Sequence, residues 1–263
     1  MRIRHALFLA AVFTVFAGPL VILVMYSASS HWIFPQVIPE TWDARAFSYV
    51  AGQARQITVS MGSSIVYSLL TVACSLVLCI LPAQVFARHR FRGRSLLEGL
   101  LLAPALVPAM TFSMGMHTSF IRFGLADTLP GVVLVLTIFA YPYMLRALVT
   151  GYMAFGPEYD VCAKNLGAGF FLRIFKVEIP LLMPALIAGG SVVFLVAFSE
   201  YFLVFLIGGG SVPSYAGYLF PLLNSSDRAV GSLLTLIFLA VPLVLFVLVE
   251  TLVARRYRRM GLF

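Results

Sequence analysis

The residues that could catalyse a reaction or bind a metal are few and widely separated. The 263 residues include 10 acids, 4 histidines and 3 cysteines. The sequence contains neither a His-Glu-x-x-His motif nor a Gly-x-x-x-x-Gly-Lys-Ser/Thr phosphate loop, and its two lysines, Lys164 and Lys176, follow Ala and Phe. Cys74, Cys79 and Cys162 show no Cys-x-x-Cys spacing and are expected to pack as small apolar residues. The sequence therefore predicts a protein that is not an enzyme and binds no cofactor or metal of its own.

One acid lies deep within an apolar segment: Glu200, between Ser199 and Tyr201. A charge at membrane depth is costly and usually faces a cavity or a partner. Two interpretations stay open. In the first, these three residues line a solute path, where Glu200 contacts a cationic solute or a gate partner in a second subunit. In the second, Glu200 is a hydrogen-bonded acid inside a helix bundle or at an interface.

The stretch from Gly156 to Pro184 is the most informative part of the sequence. Pro157 suits the first turn of a helix, and Glu158 and Asp160 place negative charge near that helix N-terminus. Gly167 can adopt the left-handed conformation that ends a helix. We therefore predict a short helix that begins at Pro157 and ends at Gly167.

A second, amphipathic helix is predicted over Phe170–Ile179, and Pro180 is expected to end it. Its apolar side would carry Phe171, Ile174, Phe175 and Val177, and its polar side Arg173, Lys176 and Glu178. The two helices would form a compact helix-turn-helix in the cytoplasm. Small residues such as Ala163, Gly167 and Ala168 would let a partner backbone approach this loop closely.

The composition is typical of a membrane protein, so transmembrane helices are expected to position these residues. Hydrophobic residues make up 61% of the chain and charged residues only 11%, below the roughly 25% of soluble domains. A membrane span needs about 20 mostly apolar residues. Six stretches qualify, at Ala6–Ala28, Val59–Ala87, Leu96–Phe120, Gly131–Val149, Leu181–Ile207 and Val230–Val253. They leave little chain for a soluble domain, so the sequence predicts one transmembrane domain over residues 1–263.

The basic residues fix the expected orientation. The net charge is +8, and with both termini inside, 14 of the 18 basic residues are cytoplasmic. The four outside are Arg45, Arg55, Arg122 and Arg228. This asymmetry agrees with the positive-inside rule, so topology and lipid head groups account for the charge and no nucleic-acid partner is expected.

Three features of the loop keep a fixed spacing: Val161-Cys162-Ala163, then Gly167, then Val177-Glu178-Ile179-Pro180. This spacing resembles the signature of binding-protein-dependent ABC importer permeases, which reads Glu-Ala-Ala, three residues, Gly, nine residues and Ile-x-Leu-Pro. The resemblance covers roughly Ser60 to Glu250. Permeases that work with polyamine, iron or thiamine binding proteins are the most similar in character.

The resemblance implies an all-α integral membrane protein of the type I ABC importer permease fold, with six transmembrane helices and cytoplasmic N and C termini in a bacterial inner membrane. Such a chain forms half of a solute path and meets an ATP-binding cassette ATPase dimer, which alone binds ATP and Mg, through its cytoplasmic coupling loop 150–180. A second, different permease chain, an extracytoplasmic solute-binding protein and membrane lipid are the other implied partners. By resemblance, the ATPase-coupling residues are Glu158, Asp160, Val161, Cys162, Ala163, Lys164, Gly167, Ala168 and Pro180.

One position departs from the signature. Val161 stands where the family has its first Glu, so Asp160 or Glu158 is expected to replace that carboxylate at the ATPase. An alternative function is an ion-gradient-driven secondary transporter. That function predicts paired acids in the membrane and related repeats, whereas the sequence has only Glu200 at depth and no strong internal repeat.

Overall fold

Helices make up most of the chain. A computed structural model describes residues 2–30, 32 and 35–259. In chain order the helices are α1 (Arg2–Ser27), α2 (Arg45–Gly52), α3 (Ala54–Arg88), α4 (Arg94–Leu102), α5 (Ala109–Arg122), α6 (Leu129–Phe155), α7 (Glu158–Asn165), α8 (Phe170–Arg173), α9 (Ile179–Ser199), α10 (Phe202–Gly208), α11 (Tyr215–Leu223) and α12 (Arg228–Arg259). A 3₁₀ turn, Ala103–Leu106, follows α4, and a π-helical turn, Ile174–Glu178, joins α8 to α9.

Four helical segments in the described part of the chain are long and apolar enough to cross a membrane. They are Ala54–Arg88, Leu129–Phe155, Phe170–Ser199 and Arg228–Leu252. A bent pair, Arg94–Leu106 with Ala109–Arg122, makes a fifth if it counts as one span. The first predicted span falls on α1, where Val12–Ser27 forms a shorter apolar helix. The all-α membrane architecture is thus confirmed, and the six spans with cytoplasmic termini stay a prediction.

The third predicted span, Leu96–Phe120, is wrong as one continuous helix. Its two halves are bent by 96° at the segment that carries Val107 and Pro108. Val107 is extended, as expected for a residue before proline, and Pro108 has no N–H to continue the helical hydrogen bonds. The hydroxyl of Tyr141 in α6 donates to the backbone carbonyl of Leu101 just before the bend. Side-chain donors of this kind make a broken helix tolerable in lipid.

The fifth predicted span, Leu181–Ile207, differs at both ends. The helix runs continuously from Phe170 through Pro180 to Ser199, then breaks, and α10 follows as a separate short helix. Pro180 does not end the helix because it lies in the first turn of α9, directly after the π-helical turn. Single π-helical turns inside α-helices are rare and frequently occur at functional sites.

The chain forms two compact units, and the larger one comprises Gly62–Ser214 and Phe246–Phe263. Its centre is the contact of α6 with α9, which has no room for larger residues. A β-carbon at Gly189 would lie 2.7 Å from Ala147 Cβ, and one at Gly151 would lie 2.6 Å from Ala185 Cβ. The C-terminal half of α3 packs on this pair through Cys79, Ala83 and Phe86. Small residues at such crossings allow the close backbone approach typical of membrane helices.

The smaller unit comprises Met1–Met61 and Tyr215–Leu245. Ala46 and Ile57 pack against α11 and the first turns of α12. Arg45 makes two hydrogen bonds to the Asp227 carboxylate, one of them 2.9 Å long, and this contact holds the pKa of Asp227 below its ordinary value. The contact is therefore present at neutral pH and is lost as the pH falls through that lowered pKa. A single transmembrane domain for the whole chain stays a prediction.

Candidate functional site

The loop between α6 and α9 begins with the short helix that the sequence predicts. Gly156 has φ +70°, Pro157 precedes the first turn, and Glu158 and Asp160 lie in that turn. The helix ends at Gly167, which has φ +80°. The amide of Gly167 donates to the Lys164 carbonyl over 2.9 Å, and the next amide along the chain donates to the Ala163 carbonyl over 3.0 Å. This pair of bonds is the Schellman motif, so the predicted left-handed helix end at Gly167 is confirmed.

Asp160 lies inside the loop, with only 4% of its surface exposed. Three basic side chains approach its carboxylate: Arg88 Nη1 at 3.0 Å, Arg173 Nε at 3.0 Å and Lys164 Nζ at 3.1 Å. Arg88 comes from the end of α3, and Arg173 from α8. Asp160 therefore joins α3, α7 and α8 to one another.

Glu178 is the second buried acid, with 1% of its surface exposed. Its Oε1 accepts from Gln84 Nε2 at 2.7 Å and from Arg88 Nη1 at 3.5 Å. Its Oε2 accepts from the Tyr152 hydroxyl at 2.9 Å. Glu178 therefore connects the π-helical turn to α3 and to the C-terminal end of α6.

Arg88 is the cation that the two acids share. Its guanidinium lies over the rings of Tyr152 and Phe155, with its central carbon 5.2 Å and 5.9 Å from the ring centroids. Only 11% of its side chain is exposed. Removing one partner from a buried ion pair costs about 3–5 kcal/mol, because the remaining charge is left without compensation. We call Arg88, Asp160, Arg173, Glu178 and Tyr152, with Gln84 and Lys164, the ion cluster.

The predicted amphipathic helix after Gly169 places two of its charged residues toward the protein. Arg173 and Glu178 point into the ion cluster. Phe171 and Phe175 are 73% and 62% exposed, and Lys176 is exposed beside them. The two sides that the sequence separates are therefore not one buried and one exposed side of the helix.

The loop exposes several large apolar residues. We call them together the outer face, a name that refers to the loop and not to a side of the membrane; they are Tyr159, Val161, Leu166, Phe170, Phe171, Leu172 and Phe175. Soluble surfaces rarely expose large apolar residues in a group, and such patches mark interaction sites. The predicted coupling residues Cys162, Lys164 and Gly167 are exposed on the same loop, whereas Ala163 is buried.

The two acids proposed to replace the missing carboxylate at Val161 have different surroundings. Asp160 is buried and holds three basic residues of its own chain. Glu158 is exposed, in the first turn of α7. Of the two, the geometry therefore leaves Glu158 as the acid that a partner could reach.

Arg88 and Gln84 are site residues that the sequence interpretation missed. Arg88 counted only as one of the cytoplasmic cations. Residues four positions apart lie on one face of a helix, so a Gln and an Arg at this spacing within the apolar end of α3 were a detectable signal. Polar side chains so placed need partners at the same depth.

The second predicted site, Ser199-Glu200-Tyr201, is a break between two helices and not the interior of one. Ser199 is the last residue of α9, and its hydroxyl donates to the Leu195 carbonyl over 2.8 Å. Glu200 Oε1 accepts from the Leu203 amide over 3.2 Å at the start of α10. The Tyr201 ring stacks on Phe205 at 5.6 Å. Glu200 thus has a hydrogen-bonded structural role, and its contact with solute stays a prediction.

Two substitutions at Glu200 test whether its carboxylate caps the start of α10. Glu200→Gln keeps an oxygen that accepts from the Leu203 amide, whereas Glu200→Ala removes it and should cost about 0.5–2 kcal/mol, as the loss of a helix cap does. We expect thermal unfolding in detergent to separate the variants, with Gln close to the wild type and Ala lower. Equal destabilisation by both would contradict the capping role. Loss of cation uptake in the stable Gln variant would assign the carboxylate to the path as well.

Comparison with known proteins defines first the fold. The chain superposes on a chain of a bacterial ABC transporter involved in the import of the acidic polysaccharide alginate, known from its crystal structure, with a TM-score of 0.72 over 95% of both chains and 18% identity. The family model of the binding-protein-dependent transport system inner membrane component matches residues 76–259. The chain therefore belongs to this family of ABC importer permeases.

Individual relatives agree with this assignment. The sulfate transport system permease protein CysT of Salmonella typhimurium is 30% identical over 195 residues, which cover 68% of this chain and 70% of that protein. The molybdenum transport system permease protein ModB of Mycobacterium tuberculosis is 30% identical over 160 residues, covering 55% and 61%. The predicted likeness to type I importer permeases is confirmed. The narrower likeness to polyamine, iron or thiamine permeases stays a prediction.

Membership of this family decides between the two classes of transporter that the sequence left open, an ABC importer permease and an ion-gradient-driven secondary transporter. The chain is a multi-pass membrane protein and a permease of the ABC transporter class. The alternative of an ion-gradient-driven secondary transporter is therefore not the class to which it belongs.

Proposed function

We propose that this chain is the permease subunit of an ATP-driven importer, that it forms half of the solute path, and that it couples to a separate ATPase through residues 156–180. The observation that carries the proposal is the outer face, an apolar surface supported from within by the ion cluster. A surface of this kind favours a protein partner over water. The rigid support beneath it suits an element that transmits force.

The partners follow from what the chain lacks and from its family. The sequence has no phosphate loop, so ATP and Mg bind to an ATP-binding cassette ATPase dimer and this chain performs no hydrolysis. A second, different permease chain completes the path, and an extracytoplasmic binding protein delivers the solute. In such an arrangement the binding protein sets most of the selectivity.

The proposed topology has six spans in a bacterial inner membrane, with both termini in the cytoplasm. In a variant without Cys74, Cys79 and Cys162, single cysteines at Ser30 and Ser226 should react with an impermeant maleimide from outside. Cysteines at Arg92 and Gly169 should react only after the membrane is opened. The 14-to-4 distribution of basic residues is the reason for this expectation. Outside labelling at position 169 would overturn both the orientation and the coupling role.

The proposed function is tested by purifying the tagged chain from its own host in mild detergent. We expect an ATPase to accompany the wild type at fixed stoichiometry. The double variant Phe171→Ser with Phe175→Ser should lose the ATPase, because it removes two exposed aromatic rings from the outer face. Phe123→Ser is the matched control, since Phe123 is equally exposed at the end of α5. Full retention of the ATPase by the double variant, or transport by the chain alone, would contradict the proposal.

A further inference from the structure

The ion cluster connects the end of α3 to both sides of the coupling loop. One nitrogen, Arg88 Nη1, contacts Asp160 Oδ2 at 3.0 Å and Glu178 Oε1 at 3.5 Å. Asp160 lies on α7, before the left-handed turn at Gly167, and Glu178 lies in the π-helical turn after it. The contacts of Arg88 therefore enclose residues 161–177, which carry every outer-face residue except Tyr159.

The other contacts of the cluster reinforce this connection. Gln84, one turn before Arg88 on α3, donates to Glu178 at 2.7 Å. Arg173 contacts the remaining oxygen of Asp160 at 3.0 Å, so Asp160 is also connected to α8. Among the four well-buried charges, two are positive and two negative: Arg88 and Arg173 balance Asp160 and Glu178. If the charge of Arg88 is lost, the buried carboxylates of Asp160 and Glu178 are left with only one buried cation, Arg173. The uncompensated negative charge destabilises the loop.

We propose that Arg88 is a positioning residue that makes the inner end of α3 and the coupling loop move as one rigid body. This inference rests on the proposed coupling function, because it describes how the loop passes motion to the membrane helices. Arg88 is not an outer-face residue, and its contacts are with Asp160, Glu178 and the rings of Tyr152 and Phe155. It acts by holding α7 and the π-helical turn, the elements next to the outer-face residues, in a fixed position relative to α3.

The test is a distance measurement between spin labels on the two elements. Cysteines replace Val85, exposed on α3, and Gly169, exposed in the loop, in a chain without its native cysteines. The distance between the two labels is measured by pulsed electron paramagnetic resonance on the complex in nanodiscs, without nucleotide and after trapping with ATP and vanadate. We expect one narrow distance that is the same in both states. Arg88→Gln should lose the narrow maximum and give a broad distribution that shifts between the states.

Two further variants separate positioning from general damage to the fold. Arg88→Lys keeps the positive charge between both acids but loses the guanidinium contact with the rings of Tyr152 and Phe155, so its distance distribution should be narrower than that of Arg88→Gln and broader than that of the wild type. Arg92→Gln removes an exposed arginine from the turn after α3 and should change nothing. If Arg88→Gln folds poorly, the neutral double variant Arg88→Gln with Glu178→Gln restores the balance of buried charge. It should fold and still show the broad distribution.

The outcomes are distinct from those of the proposed function. A narrow, unchanged distance in Arg88→Gln or in the double variant overturns the positioning role, even if the ATPase binds and hydrolyses ATP. Absence of any ATPase from the wild-type complex contradicts the proposed function, whereas the distance without nucleotide still reports whether Arg88 holds the loop to α3.

Discussion

Gly167→Arg should leave the chain folded in the membrane and abolish ATPase-driven transport. The residue has φ +80°, where a β-carbon costs about 1 kcal/mol or somewhat more. Apart from Gly167 itself and its chain neighbours, no heavy atom lies within 4 Å of the position that a β-carbon would take, so a side chain there starts into open space. The added bulk and charge therefore fall on the surface that the ATPase should cover.

Gly167→Ala is the matched control for this prediction, because it adds the β-carbon and its backbone strain without the bulk. We expect the Ala variant to retain most of its ATPase and the Arg variant to lose it, measured by co-purification and ATP hydrolysis in reconstituted membranes. If Arg and Ala behave alike, backbone strain and not contact with a partner explains the effect. Normal transport by the Arg variant would remove the loop from the coupling role.

Asp160→Ala should be far more harmful than Glu158→Ala, although the two acids lie two positions apart on one helix. Asp160→Ala leaves Arg88 and Arg173 buried without one of their carboxylates, and loss of a buried partner typically costs about 3–5 kcal/mol. Glu158 is exposed, and an exposed carboxylate contributes about 0–1 kcal/mol to folding.

Hydrogen exchange of the α7 amides measures this difference. We expect fast exchange throughout α7 in Asp160→Ala and wild-type protection in Glu158→Ala. In the complex, Glu158→Ala should instead weaken ATPase retention, as expected for an acid that a partner reaches. Equal protection of α7 in both variants would show that the ion cluster does not hold the loop.

Much of the site could be predicted because its signals are local in sequence. Pro157, the acids after it and Gly167 define a short helix and its end by backbone preferences alone. The long apolar stretches of α3, α6 and α12 likewise identify spans without knowledge of their neighbours.

The features that were missed depend on contacts between distant residues. Arg88 and Glu178 are 90 residues apart, and no local pattern states that they meet. The pattern of Phe171, Arg173 and Phe175 predicts an amphipathic helix, but it does not state which side of that helix meets the rest of the protein. Here the interior holds the ion cluster, and in our proposal the aromatics are covered by another chain. At Val107 and Glu200 the sequence was apolar enough for one helix, and proline geometry and a capping carboxylate decided otherwise.

Site-specific photocross-linking tests the central claim, that the outer face of residues 156–180 contacts an ATPase. Benzoylphenylalanine is introduced singly at Phe171, at Phe175 and, as a control on the same helical segment, at Leu195, which is exposed on α9. We predict that light joins the ATPase to the chain from positions 171 and 175, and that position 195 gives no such product. A complex that contains the ATPase but yields no ATPase product from either loop position would contradict the account.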